Sequence, residues 1–239
     1  MAISPQFMGR LMPGPGELDG SMDDLARIRC DLVQAAASGD PAAEMRGVLR
    51  DRPALETVFD ESMAVGHVLG FYQLQLGEHD GRSVRLHLWE PERVEDTDEA
   101  DDIHSHIWGF HSHLLAGYIS STTYEVELGD SGPGDLYAVS YSNNRSHRTR
   151  TGTCASWWQR ATRHMERDEH YGIDGTDFHT SRIGAAGAVT LIVADGSAER
   201  TPYVIRERER PSTEEYPFQY LSGDELKKVF QQVLTMLTR

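Results

Sequence analysis

The sequence predicts a mainly-β domain, a sandwich or barrel, with helices before and after it. Three observations carry this. Between residues 67 and 207, apolar residues recur at every second position in several short runs, the period of a half-buried strand. Glycine and Asn/Asp turn residues separate most of these runs, which is the punctuation of many short strands and not of an α/β fold. In 21–62 and again after residue 221 the apolar spacing changes to three and four, the period of a helix.

The elements follow in order. Residues 1–20 are rich in Pro and Gly and read as a flexible arm. Ser21 opens a helix with Asp24 three residues on, as in a capping box, and Leu25, Ile28, Leu32, Val33 and Ala36 share one face. Gly39 stops it, and Asp40-Pro41 starts a second short helix through Met45, Val48 and Leu49. With a third piece around Leu55, Val58 and Phe59, the segment 21–62 is expected to be helical and packed on the β-domain. Strands are expected at 67–76 and 83–89, joined by GEHDGR, then at 113–127, 135–142, 154–161, 187–194 and 203–207, within a β-domain spanning 63–210. The acidic stretch 90–102, EPERVEDTDEADD, reads as a solvated connection. The extension 211–239 carries a second capping box, Ser222 and Glu225, followed by Leu226, Val229, Phe230, Val233 and Leu234 on one helical face.

A chain of 239 residues suits one domain with helical additions, or at most two small domains. Its formal charge of −15 argues against a nucleic-acid backbone and against an anionic membrane surface. The N-terminal residues lack the apolar run of a signal peptide and no later run approaches a membrane span. The expected location is cytoplasmic. Cys30 and Cys154 form no CxxC pair and are expected as free thiols of a reducing compartment. A homodimer is compatible with the sequence.

The chemistry concentrates in 103–119, IHSHIWGFHSHLLAGYI. His104 and His106 are two apart, so on an extended strand their imidazoles leave the same face and can chelate one ion. Imidazole suits Fe, Zn, Cu and Ni. The pair precedes a Trp108-Gly109 turn and an apolar strand ending in Gly117. His111 stands an odd number of residues from His106, with the turn between them; it is a fourth ligand, a neighbour of the ligands, or a packed or surface residue. His147, in SNNRSHRTR, is an alternative third ligand in a loop-like setting; His164 and His170 lie in a charged stretch and read as surface residues. On 84–89, Val84, Leu86 and Leu88 take one face, while Arg85, His87 and Trp89 take the other. The second face is either exposed or lines a polar cavity, where Arg85 would clamp a substrate carboxylate through two parallel hydrogen bonds.

The segment 103–119 resembles the first motif of the cupin superfamily, in which HxH is followed by a ligand position, a short strand and a glycine. The resemblance implies a cupin-type β-barrel, the double-stranded β-helix or jelly roll. Counting back from Gly117 puts Phe110 where many cupins carry a glutamate ligand. The segment 171–179, YGIDGTDFH, followed by GAVTLIV at 187–193, resembles the second cupin motif, with Asp174 where proline is usual and the Gly-to-His spacing one longer. By that resemblance His179 is the third metal ligand with His104 and His106.

Three histidines without a carboxylate are similar to the sites of the cysteine-dioxygenase-like cupins. That likeness implies one Fe(II) per chain, a small chelating and anionic substrate, O₂ as co-substrate, and Arg85 as the group that grips the substrate. The Ser-His-Tyr accompaniment of cysteine dioxygenases is not recognisable after His179, so cysteine itself is not the expected substrate. The alternatives are a non-redox metallocupin (an isomerase, lyase or hydrolase using Zn, Mn or Ni) and a cupin that only binds a small molecule. A 2-oxoglutarate oxygenase is disfavoured, since no HxD or HxE occurs in a comparable strand-turn setting.

Overall fold

A computed structural model describes residues 64–79, 81–195, 200–208 and 210–238. The expected arm at 1–20, the helices at 21–62 and Cys30 lie outside the described residues. What is described is mainly β. The strands are β1 (Ala64–Gly66), β2 (Phe71–His79), β3 (Arg82–Trp89), β4 (Ile103–His104), β5 (Phe110–Gly129), β6 (Gly134–Ser142), β7 (Arg145–Met165), β8 (His170–Ile173), β9 (Phe178–Ala194), β10 (Tyr203–Glu207), β11 (Thr213–Pro217) and β12 (Gln219–Tyr220). A short helix α1 (Pro91–Glu95) follows β3, and α2 (Gly223–Thr238) closes the chain.

All strand pairings are antiparallel, and they return on themselves. β4 pairs with β9 and β10, β10 with β6, β6 with β7, β7 with β5, and β5 again with β9. One face of this circuit gathers an apolar cluster to which all six strands contribute, among them Ile103, Tyr124, Leu136, Trp157, Phe178 and Ile205. By the two-residue period of a strand, His104 and His179 then belong to the opposite face. The first half of β5 and the second half of β9 continue into a layer with β3, β2, β1 and β12 on one side and β8 on the other.

That layer is sealed by α2. Leu226, Val229, Phe230, Val233 and Leu237 bury one stripe of the helix against Leu74, Leu76, Val84, Leu86, Leu88 and Leu191. The side chain of Leu234, expected on the same stripe, lies outside the description. Burial of such side chains is worth ~1.5–3 kcal/mol each against leaving them in water. With Val84, Leu86 and Leu88 committed to α2, the other face of β3 points away from the helix. Trp89 on that face joins a cluster with Phe71, Phe110, Leu114, Tyr171 and Ile192.

β7 and β9 run well beyond the strands expected at 154–161 and 187–194, whereas β5 exceeds the expected 113–127 by only a few residues at each end. The added stretches, such as residues 145–149 and 180–182, are polar on both faces, so no alternation marks them. Pairing with β6 on one side and β11 on the other holds residues 145–149 in the sheet. The segment around His147, read as a loop, is instead a tight hairpin. Asn143 (φ 51°) and Asn144 (φ 57°) form a two-residue turn between β6 and β7, with Ser142 and Arg145 paired; asparagine tolerates the left-handed conformation that such turns need at both positions. Gly117 has a geometric reason to be glycine. Its φ is +84°, and a Cβ there would collide with the carbonyl of Gly187 on β9.

Candidate metal centre

Backbone pairing creates the site before any side chain is considered. His104 on β4 and His179 on β9 are direct cross-strand partners, and such partners hold their Cβ atoms about 4.5–5.5 Å apart. His106 lies just past β4, and its N–H donates to the carbonyl of Gly175 at 3.0 Å. The turn that introduces His179 is thereby tied to the segment that carries His106. Asp174 builds this turn with its own polar groups. Its carboxylate accepts from the Thr176 N–H at 2.9 Å and its carbonyl from the Asp177 N–H at 2.9 Å. Gly175 lets the turn pack on the backbone of Trp108, which a Cβ there would approach to 2.9 Å.

Three imidazoles converge as a result. One nitrogen from each of His104, His106 and His179 lies within 4.8 Å of the other two, and the Nε2 atoms of His106 and His179 stand 3.5 Å apart. Ring centroids are separated by 4.5–5.0 Å. The Nδ1–H of His104 is assigned as donor to the Asp102 carbonyl at 2.9 Å, which leaves the Nε2 lone pair for a ligand.

Burial keeps all three neutral. The His104 pKa is pulled down to about 4 by burial, against the pull of its bond to Asp102. Burial likewise holds His106 and His179 well below the usual histidine range, and the neighbouring imidazoles add to it. Neutral imidazole is the metal-binding form. Two nitrogens each ~2.1 Å from one ion would be about 3.0–3.4 Å apart in octahedral or tetrahedral geometry, close to the 3.5 Å between His106 and His179. The triad therefore fits a divalent ion. Among the described residues no carboxylate belongs to the cluster.

Phe110 closes one side of the cluster. It is buried, sits edge-on to His106 with centroids 5.0 Å apart, and lies 6.0 Å from the ring of His179. An apolar wall thus borders two of the three imidazoles.

Arg85 lies on the face of β3 turned away from α2. Its guanidinium sits over the Trp108 ring at 4.6 Å, and Trp108 is 5.9 Å from His106. The Arg85 Nε donates to Gln75 Oε1 at 3.2 Å and Ser83 Oγ at 3.0 Å, and no described residue takes its terminal nitrogens. Burial lowers its pKa to about 10, so it remains a cation at neutral pH. His67 and His87 sandwich the Phe71 ring at 4.3 and 4.4 Å. The His67 Nδ1 accepts from the Leu69 N–H at 3.2 Å, and burial takes its pKa down to about 3.

The remaining histidines stand apart from the triad. His111 is exposed. His147 bonds Ser142 Oγ at 3.0 Å and lies 3.5 Å from Glu215. His164 and His170 are exposed, the first bonded to the Tyr118 hydroxyl and the second stacked on His113. Cys154 is an unbridged, half-buried thiol.

The acidic stretch departs from its expected role as a solvated connection. Glu99 and Asp102 turn inward and meet Arg148 and Arg206. For Asp102 a sequence signal existed, since it shares the parity of His104 two residues on. None marked Arg148 or Arg206 as partners of Asp102, since both lie far along the chain from it, nor Trp108 as the partner of Arg85 on distant β3. No described helix is long and apolar enough to cross a membrane. No protein-family model matches the chain, and a search of curated proteins finds no similar sequence.

Proposed function

We propose that the protein is a mononuclear non-haem Fe(II) oxygenase of the three-histidine cupin type, acting on a small chelating anion with O₂. One observation carries the reading: three neutral imidazoles converge while Phe110 fills the position of the usual glutamate. A site with three neutral ligands keeps the full 2+ charge of its ion, which favours an anionic chelating substrate. Iron, when bound, supplies open coordination positions and the electrons for O₂ chemistry.

The chain's own residues do the rest. His104, His106 and His179 hold the ion, and the Asp102 carbonyl fixes which nitrogen His104 offers. Phe110 keeps that side of the site dry and free of negative charge. Arg85, immobilised by Gln75, Ser83 and Trp108, offers its two terminal nitrogens to a carboxylate. A rigid fork of this kind orients a substrate at little entropic cost.

The test is O₂ uptake by anaerobically purified protein reconstituted with Fe(II), Zn(II), Mn(II) or Ni(II), against a panel of thiols, amino acids and catechols. Turnover is expected with Fe(II) alone. Equal turnover in the metal-free protein, or turnover only with Zn(II), would overturn the oxygenase reading in favour of a non-redox metallocupin.

A further inference from the structure

We infer that Asp102, clamped between Arg148 and Arg206, is the positioning residue that fixes His104 for metal binding, and that the C-terminal extension completes the clamp. The inference rests on the metal reading of the histidine triad. Asp102 uses both of its ends. Its carbonyl accepts the His104 ring proton at 2.9 Å, and its carboxylate meets Arg148 Nη1 at 2.7 Å and Arg206 Nε at 3.4 Å. The Arg148 and Arg206 side chains are 3% and 2% exposed, so neither guanidinium can exchange this partner for water.

The clamp has a second tier. Arg206 Nη1 donates to Glu214 Oε2 and to the Tyr216 hydroxyl, both at 2.9 Å, and its Nη2 lies 3.4 Å from Glu99 Oε1. The Tyr216 hydroxyl stands 3.0 Å from Glu99, and the Arg148 guanidinium covers the Tyr216 ring at 4.5 Å. Glu214 and Tyr216 belong to β11, which pairs with β7 so that Glu214 lies opposite Arg148. Burial opposes the charge on Arg206, but Asp102, Tyr216 and Glu214 outweigh it and raise its pKa.

A buried ionic cluster of this kind is a poor source of stability, because the desolvation of each ion offsets its pairing. What it does well is define one geometry. Here the segment 99–102 is held at both ends, by Glu99 and Asp102, and its last carbonyl is the acceptor that sets the His104 tautomer. Hydrogen bonds of this sort to a ligating histidine govern ring orientation and metal affinity. A purely structural role would tie β7, β10 and β11 together without touching the ligand.

Two readouts separate these roles. In the metal-free full chain with isotope-labelled histidine, NMR should find His104 as the Nδ1–H tautomer with a slowly exchanging ring proton. Asp102→Asn keeps size but turns an amide NH₂ toward a guanidinium. It should speed that exchange and weaken Co(II) binding by about 10–100-fold. Arg206→Lys, which keeps the charge and loses the fork, should shift both readouts in the same direction and serves if Asp102→Asn fails to fold. Ile205→Val, on the apolar face of β10, should lower the melting temperature and move neither readout. If the Asp102 and Arg206 variants lose thermal stability while the His104 proton and the Co(II) affinity stay at wild-type values, the clamp is structural only and the inference is overturned. A wild-type protein that holds the His104 proton yet takes up no Co(II) would instead sink the metal reading.

Discussion

Arg85 shows how one side chain can be read two ways until its neighbours are known. Parity alone placed it with His87 and Trp89, on a face that is either exposed or turned to a cavity. The α2 helix covers the opposite face of β3 and so decides which way Arg85 points. Its Nε is spent on Gln75 and Ser83 and its plane on Trp108, which leaves the terminal pair for a ligand. Arg85→Ala should raise the KM for an anionic substrate by about 10–100-fold, the loss of a charge-assisted bond worth ~1.5–3 kcal/mol. On the proposed reading the change should fall on KM more than on kcat, because Arg85 would grip a part of the substrate that does not react. Unchanged kinetics for an acidic substrate would remove Arg85 from the site. Phe110 was legible in a different manner: by the cupin resemblance its spacing from Gly117 sets it where many cupins carry a glutamate, and its ring packs against His106 and His179.

At the scale of elements, legibility followed amphipathic contrast. The C-terminal helix was plain in the sequence because apolar residues at helical spacing and a capping pair coincide. Ser222 Oγ accepts from the Glu225 N–H at 3.4 Å, and the Glu225 carboxylate accepts from the Ser222 N–H at 2.8 Å, the reciprocal pattern of a capping box. Ser222→Ala should cost ~1 kcal/mol and Phe230→Ala about 3–5 kcal/mol, read from urea midpoints. If Phe230→Ala proves neutral, α2 does not seal the layer. Strand cores such as Val84–Leu88 and Val189–Val193 were equally legible. The polar additions to β7 and β9 were not, since residues such as Thr162, bonded across to Thr122 of β5, are held by cross-strand partners that local sequence does not mark. The same limit hid the inward turn of the acidic segment. Glu99 and Asp102 read as solvent-facing charges because their arginine partners lie about 45 or more residues away along the chain, on β7 and β10.

At the scale of the molecule, the two histidine-bearing segments are more than 70 residues apart and meet only because β4 and β9 pair. The chain carries a net charge of −15, yet among the described residues no carboxylate joins the triad. An ion bound only by the folded protein should stabilise it by ~2.7 kcal/mol at a hundredfold excess over Kd. The triad is tested most directly by metal content per chain after anaerobic loading with Fe(II), in wild type and in the two variants His179→Ala and His147→Ala. One ion per chain is expected in wild type and in His147→Ala, and almost none in His179→Ala with the fold retained. A site emptied by His147→Ala and left full by His179→Ala would contradict the triad and the reading of residues 171–193 on which it rests.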